Sequence, residues 1–166
     1  MPEGKEAVQN TTIEKRVWIK ATAEIVYRAL TNSKDLEKWF CDRAECTPSK
    51  GGELIACWGS GKSSHRGRAV FTDVVPPALL ELLWVEEEKE TTEPPSRHLL
   101  RYTIKSKSGM TEVAMLDRDE TPLDEETYGF MDRGWNLVLL ELKDFCERKE
   151  RIARMRLEQK SGALDA

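Results

Sequence analysis

The chain has 166 residues, of which 39% are hydrophobic and 34% charged. That is the length of one domain, long enough to bury about two-thirds of the surface its unfolded form exposes. A net charge of −4 offers no global attraction to nucleic acid, and no apolar run approaches a membrane span, so neither a nucleic-acid partner nor membrane insertion is expected.

The opening residues, Met1-Pro2-Glu3-Gly4-Lys5-Glu6, contain no apolar signal core. A cytoplasmic protein is therefore expected, with a flexible N-terminus over residues 1–10. A cytosolic chain would keep Cys41, Cys46, Cys57 and Cys146 reduced, and none of them forms a C-x-x-C pair. From Thr11 to Lys20 the sequence alternates. Ile13, Val17 and Ile19 share one face and Glu14, Arg16 and Lys20 the other, which predicts a half-buried strand. Thr22 reads as an N-cap with Glu24 in the first turn, so a helix is predicted from Ala23 to Leu30. Asn32-Ser33 interrupts it, and a second short helix is predicted from Lys34 to Phe40.

The middle of the chain reads as short strands between turns. They are Glu53 to Trp58, Gly67 to Val75, Leu79 to Glu87, His98 to Lys105 and Thr111 to Asp119. Pro76-Pro77 ends one of them, because proline cannot donate to a ladder. Ser106-Lys107-Ser108-Gly109 predicts a hairpin turn. Two acidic stretches, 86–96 and 119–126, are predicted to be loops. From Met131 the apolar spacing turns helical. Trp135, Val138, Leu139, Leu142, Phe145, Cys146, Ile152 and Met155 recur every three, four or seven residues, toward Glu158. A single domain over 11–158 with a flexible tail over 159–166 is expected. An antiparallel sheet must cover its apolar face, and this last helix is the large amphipathic element left to do so.

Several segments, in order, resemble one family. They are Thr31-Asn32-Ser33-Lys34-Asp35-Leu36-Glu37-Lys38-Trp39-Phe40, Gly51-Gly52-Glu53-Leu54, Asp73-Val74-Val75-Pro76-Pro77 with Ala78 to Trp84, and Gly134-Trp135-Asn136-Leu137-Val138-Leu139-Leu140-Glu141-Leu142-Lys143. The chain is similar to the family named after the activator of the heat-shock-protein-90 ATPase, a branch of the START-like (SRPBCC) superfamily. The resemblance implies an α+β helix-grip fold, in which a curved antiparallel sheet wraps a long C-terminal helix and two short helices follow the first strand. It implies a cavity between sheet and helix, since relatives in the superfamily bind lipids, sterols, plant hormones or polyketides. The separate chaperone-binding domain of the activator has no counterpart in these residues, so chaperone stimulation is not read from the family name.

The residues expected to line the cavity are Trp39, Phe40, Trp58, Phe71, Trp84, Tyr102, Met115, Asp117, Trp135 and Leu139. Such sites are mostly apolar with a few polar groups. Plain core packing is the competing explanation for each ring, because aromatics dominate cores anyway. Relatives often place an inward histidine where this chain has Asp117, so a basic ligand group becomes conceivable. An inward carboxylate must be paired or raise its pKa, whereas a strand-end position in water suits most aspartates better. His65 and His98 read as surface residues, and Arg101 as a further polar candidate.

The spacing of Cys41, Cys46, Cys57 and His65 does not suit zinc, and Cys146 reads as inert packing. No phosphate-binding, dinucleotide-binding, serine-hydrolase or metalloprotease motif occurs. Neither a cofactor, a metal nor a catalytic residue is expected. The basic stretch Arg148 to Arg156 contains acids at i,i+4 spacing, which suits a solvated helix. The expected function is binding an apolar or amphipathic small molecule. The alternatives are an interaction or co-chaperone-like module, with a chaperone as partner, and a cyclase- or dehydratase-type enzyme. A homodimer through the face of Ile152 and Met155 is also expected.

Overall fold

The computed structural model describes residues 10–86 and 97–164. The first strand, β1 (Asn10–Ile19), leads into helices α1 (Ala23–Thr31) and α2 (Ser33–Trp39). Six strands follow: β2 (Arg43–Cys46), β3 (Glu53–Trp58), β4 (His65–Val75), β5 (Leu79–Glu86), β6 (Arg97–Lys107) and β7 (Met110–Leu123). A single helix, α3 (Glu125–Leu164), completes the fold. The strands form one antiparallel sheet in the order β1-β7-β6-β5-β4-β3-β2. This is the α+β helix-grip: a curved open sheet with the long helix against its inner face.

Local chemistry sets the boundaries. The hydroxyl of Thr22 accepts from the backbone N–H of Ile25 at 3.3 Å and caps α1. Asn32 ends α1, and its side chain then caps α2 by accepting from Asp35 N at 3.1 Å. The β6–β7 hairpin turns through Ser108 (φ 51°) and Gly109 (φ 76°), the paired left-handed geometry that matches strand twist. Each strand turns alternate residues inward. Leu54, Ala69, Phe71, Leu80, Leu82, Leu100, Tyr102, Ile104, Val113 and Met115 come from β3 to β7. They pack with Val26, Ala29, Leu30 and Leu36 from the short helices and with Leu139, Leu142, Phe145 and Cys146 from α3.

Some boundaries differ from the sequence expectation. Helix α3 has 40 residues rather than the expected span of 131–158, so it is about 60 Å long and includes most of the stretch read as a tail. Strand β7 runs to Leu123 through the stretch 119–126 read as an acidic loop, pairing with β1 as far as Asn10. Strand β2 was not expected, because its four residues alternate exposed and half-buried and carry little apolar signal. The expectations for residues 1–9 and for the loop over 87–96 lie outside the described residues. Among those described, no helix is long and apolar enough to cross a membrane.

Candidate functional site

The space between the inner face of the sheet and the three helices holds a cavity of about 260 Å³. Its walls come from α1 and α2 (Leu30, Leu36, Trp39, with Phe40 at the end of α2), from the sheet (Leu54, Trp58, Gly67, Leu80, Leu82, Trp84, Leu100, Tyr102) and from α3 (Trp135, Val138). His65, Arg66, Val85 and His98 complete the lining, and exposed His65 and Arg66 place them at its mouth.

The aromatic walls are held by bonds to the backbone. The indole of Trp39 donates to the carbonyl of Ala29 at 2.8 Å, which ties α2 to α1. The indole of Trp58 donates to the carbonyl of Phe40 at 2.7 Å, which ties β3 to the end of α2. With their N–H groups committed, these rings present carbon faces to the cavity. Phe40 bridges them, at 5.3 Å from the centroid of each ring. His65 stacks on Trp58 at 5.7 Å and His98 on Trp84 at 6.5 Å. Gly67 lets the two outer indoles approach. A Cβ there would lie 2.9 Å from Cζ3 of Trp84 and 3.4 Å from Cζ3 of Trp58.

A polar group lies behind the apolar wall. Asp117 is 1% exposed on the inward face of β7. Its Oδ2 accepts from the indole of Trp135 at 2.7 Å, and its Oδ1 lies 2.6 Å from Nδ1 of His98. The register explains the meeting. Leu100 of β6 stands opposite Asp117, so His98, two residues away on the same face, is its diagonal neighbour. The water-exposed strand end favoured by the sequence for Asp117 is thereby corrected, because β7 continues six residues past it. Asp117 is not among the residues lining the cavity, and each of its oxygens already has a partner within the protein.

Tyr102 is 6% exposed and lines the same cavity, with its ring edge against Trp135 at 6.4 Å. Among the described residues no hydrogen bond reaches its hydroxyl, and no buried side-chain oxygen is sealed off without a partner, so the hydroxyl opens on the cavity. Burial, and then the charge of Asp117, push its pKa well above the ordinary 10.0, which keeps it protonated.

Six of the ten residues named from sequence line this cavity: Trp39, Phe40, Trp58, Trp84, Tyr102 and Trp135. Phe71, Met115 and Leu139 pack in the core instead, and Asp117 braces the wall from behind. Inward strand parity does not separate core from cavity. Sequence reasoning missed His98 as a wall residue, because the pairing depends on β6–β7 register. Arg101 lies outside the cavity, where it pairs with Glu81 at 2.6 Å. Among the described residues no group of three or more potential metal ligands assembles. Burial pushes the Cys146 thiol up to about 12, the thiol of a packing residue.

Residues 20–147, most of the chain, match the family described as activator of Hsp90 ATPase homolog 1-like protein. The chain belongs to this family. No curated protein matches its sequence. Among solved structures, a protein from Mesorhizobium loti is similar at 20% identity and TM-score 0.70, over 82% of this chain and 97% of its own. The Aha1 dimer from Colwellia psychrerythraea is similar at 20% identity and TM-score 0.67, over 82% and 96%. A protein from Micromonospora echinospora is similar at 18% identity and TM-score 0.60, over 93% and 88%. At these identities the likeness is one of fold.

Proposed function

We propose that this family member binds a compact hydrophobic or amphipathic small molecule between its sheet and α3. The family and the fold support a ligand-binding or co-chaperone-like domain. The observation that carries the finer reading is the Tyr102 hydroxyl, which opens without a protein partner onto a mostly apolar cavity whose other polar lining is His65, Arg66 and His98. A hydroxyl that opens on the cavity can bond a ligand oxygen or nitrogen in place of water, and so orients a ligand that is otherwise held by apolar contact. Ligand pockets run from about 300 Å³ upward, so a cavity of about 260 Å³ suits one or two rings or a short chain.

The test combines native mass spectrometry of gently purified protein with thermal shift against fatty acids and one- and two-ring aromatic alcohols, ketones and acids. A retained mass or a raised Tm is expected, with hydrogen-bonding ligands bound about tenfold more weakly by Tyr102→Phe. No retained mass and no shift with any compound would sink the reading. The second reading is a cyclase- or dehydratase-type reaction. The His98–Asp117 pair supports it, because a histidine oriented by a buried carboxylate is placed for proton transfer. Conversion of a retained ligand by the wild type but not by His98→Gln would favour it. A chaperone partner rests on the family alone and is tested by ATPase turnover. The Colwellia relative is described as a dimer, and a homodimer is proposed for this chain as well.

A further inference from the structure

We infer, resting on the homodimer proposed above, that a second copy of this chain docks antiparallel along the outer face of α3. The inner face of that helix is spent on the core, through Leu139, Leu142, Phe145 and Cys146. The opposite face carries Leu137, Leu140, Glu141, Asp144, Arg148, Arg151, Ile152 and Met155, within about 60° of one line at 100° per residue. All eight are exposed. The four apolar members are 64%, 53%, 47% and 58% exposed at Leu137, Leu140, Ile152 and Met155.

The order of these residues is the argument. Read from either end toward Cys146, the face runs apolar, apolar, charged, charged. When a second copy of the helix is laid antiparallel with its dyad at Cys146, Leu137 meets the partner's Met155 and Leu140 meets the partner's Ile152. Glu141 meets the partner's Arg151, and Asp144 meets the partner's Arg148. Two-fold symmetry repeats each pair, giving four apolar contacts and four ion pairs along about 27 Å of helix. A parallel arrangement would instead set acid against acid and base against base. The spacing along the seam, 137, 141, 144, 148, 151 and 155, alternates four and three, which is that of two helices packed along a shared stripe.

The four seam charges are available. Several charges elsewhere on α3 pair within the chain: Asp132 with Lys15, Lys143 with Glu147, Arg154 with Glu150, and Lys149 with Asp35. Among the described residues, Glu141, Asp144, Arg148 and Arg151 take part in no ion pair. Ion pairs at a partly wet seam fix register and orientation more than they add affinity, so association should weaken as salt rises.

Charge reversal decides the matter. Light scattering and sedimentation velocity on the full chain should give twice the monomer mass at low salt, shifting toward the monomer at high salt. The double variant Glu141→Arg with Asp144→Arg carries four bases on the seam. The double variant Arg148→Glu with Arg151→Glu carries four acids. Each alone should be monomeric with unchanged circular dichroism, since all four sites are exposed, and an equimolar mixture should recover the doubled mass. A wild type that stays monomeric at the highest soluble concentration overturns the inference and leaves the face to another partner. So does a dimer that survives both reversals, or a mixture that fails to associate.

Discussion

The indole N–H of Trp135 donates to Oδ2 of Asp117 at 2.7 Å, and that bond joins α3 to β7, the strand beside the sheet edge β1, where the cavity ends. The other carboxylate oxygen faces His98 at 2.6 Å. An asparagine offers one oxygen where the site uses two acceptors. Asp117→Asn keeps one acceptor for the Trp135 indole and can meet His98 only through its amide N–H, with the imidazole proton on Nε2, so the weakened bonds should cost about 1–3 kcal/mol in a urea unfolding curve. Asp117→Leu should cost more than Asp117→Asn, because both partners are then stranded. In a double-mutant cycle, Trp135→Phe should remove a good part of the Asp117→Asn penalty. A penalty under about 0.5 kcal/mol for Asp117→Asn would mean the bond does not hold the helix.

Gly67 controls how closely two indoles approach. A Cβ there stands 2.9 Å from the far edge of Trp84, so Gly67→Ala must push that ring aside. The displaced ring moves relative to His98, its stacking partner, and alters the cavity wall. The expected loss of stability is about 1–2 kcal/mol, because overpacking is relieved by moving one side chain. Near-ultraviolet circular dichroism should change at the tryptophan bands. Affinity for any ligand found in the proposed screen should fall further than stability does. An unchanged spectrum and affinity would mean the cavity does not depend on this contact.

Most of the architecture was legible because it rests on periodicity. Alternation in β1, β6 and β7 and three-and-four spacing in α3 are properties of neighbouring residues, visible in one dimension. The cavity was legible only in part, for a physical reason. Met115 and Tyr102 stand directly opposite each other on paired strands, both inward, yet only Tyr102 reaches the cavity. What separates them is where the helices cover the sheet, which no local pattern encodes. His98 was misread for a related reason. Its neighbours Trp84 and Asp117 lie on two other strands and become neighbours only once register is set.

Acid should destabilise the fold through carboxylates held by partners. Burial raises the pKa of Glu81, but hydrogen bonds from Arg101 and Thr72 outweigh it and leave the value below the ordinary 4.5. At Glu147 burial is likewise outweighed, by Lys143, the backbone N–H of Lys20 and both lysine charges. A carboxylate with a lowered folded-state pKa adds stability above its unfolded value, and that stability is lost as pH falls through the folded value. Unfolding free energy should be level near neutrality on account of these two groups and should decline below pH 4.5. Arg101→Ala should make the decline shallower, because Glu81 then titrates nearer its unfolded value. An equal slope in the two proteins would rule out this pair as a source of acid sensitivity.

Three of the four cysteines should behave as packing groups rather than as nucleophiles. Burial pushes the thiols of Cys46 and Cys146 up to about 12. At Cys41 burial dominates over the opposing backbone hydrogen bond at Cys57, and with nearby negative charges it brings the value to about 11. The thiolate is the reacting species, so at pH 8 only about one molecule in 10³ to 10⁴ is reactive at any of the three. Iodoacetamide labelling of the folded protein at pH 8, followed by peptide mass spectrometry, should leave Cys41, Cys46 and Cys146 largely unmodified over a period that labels all three in urea. Since Cys146 is fully buried in α3 beneath the sheet, its labelling rate also reports how often that helix lifts. Gly67→Ala and Asp117→Asn should then differ. Loosening the Trp135 anchor should speed Cys146 labelling more than crowding Trp84 does, and equal acceleration would place the anchor elsewhere.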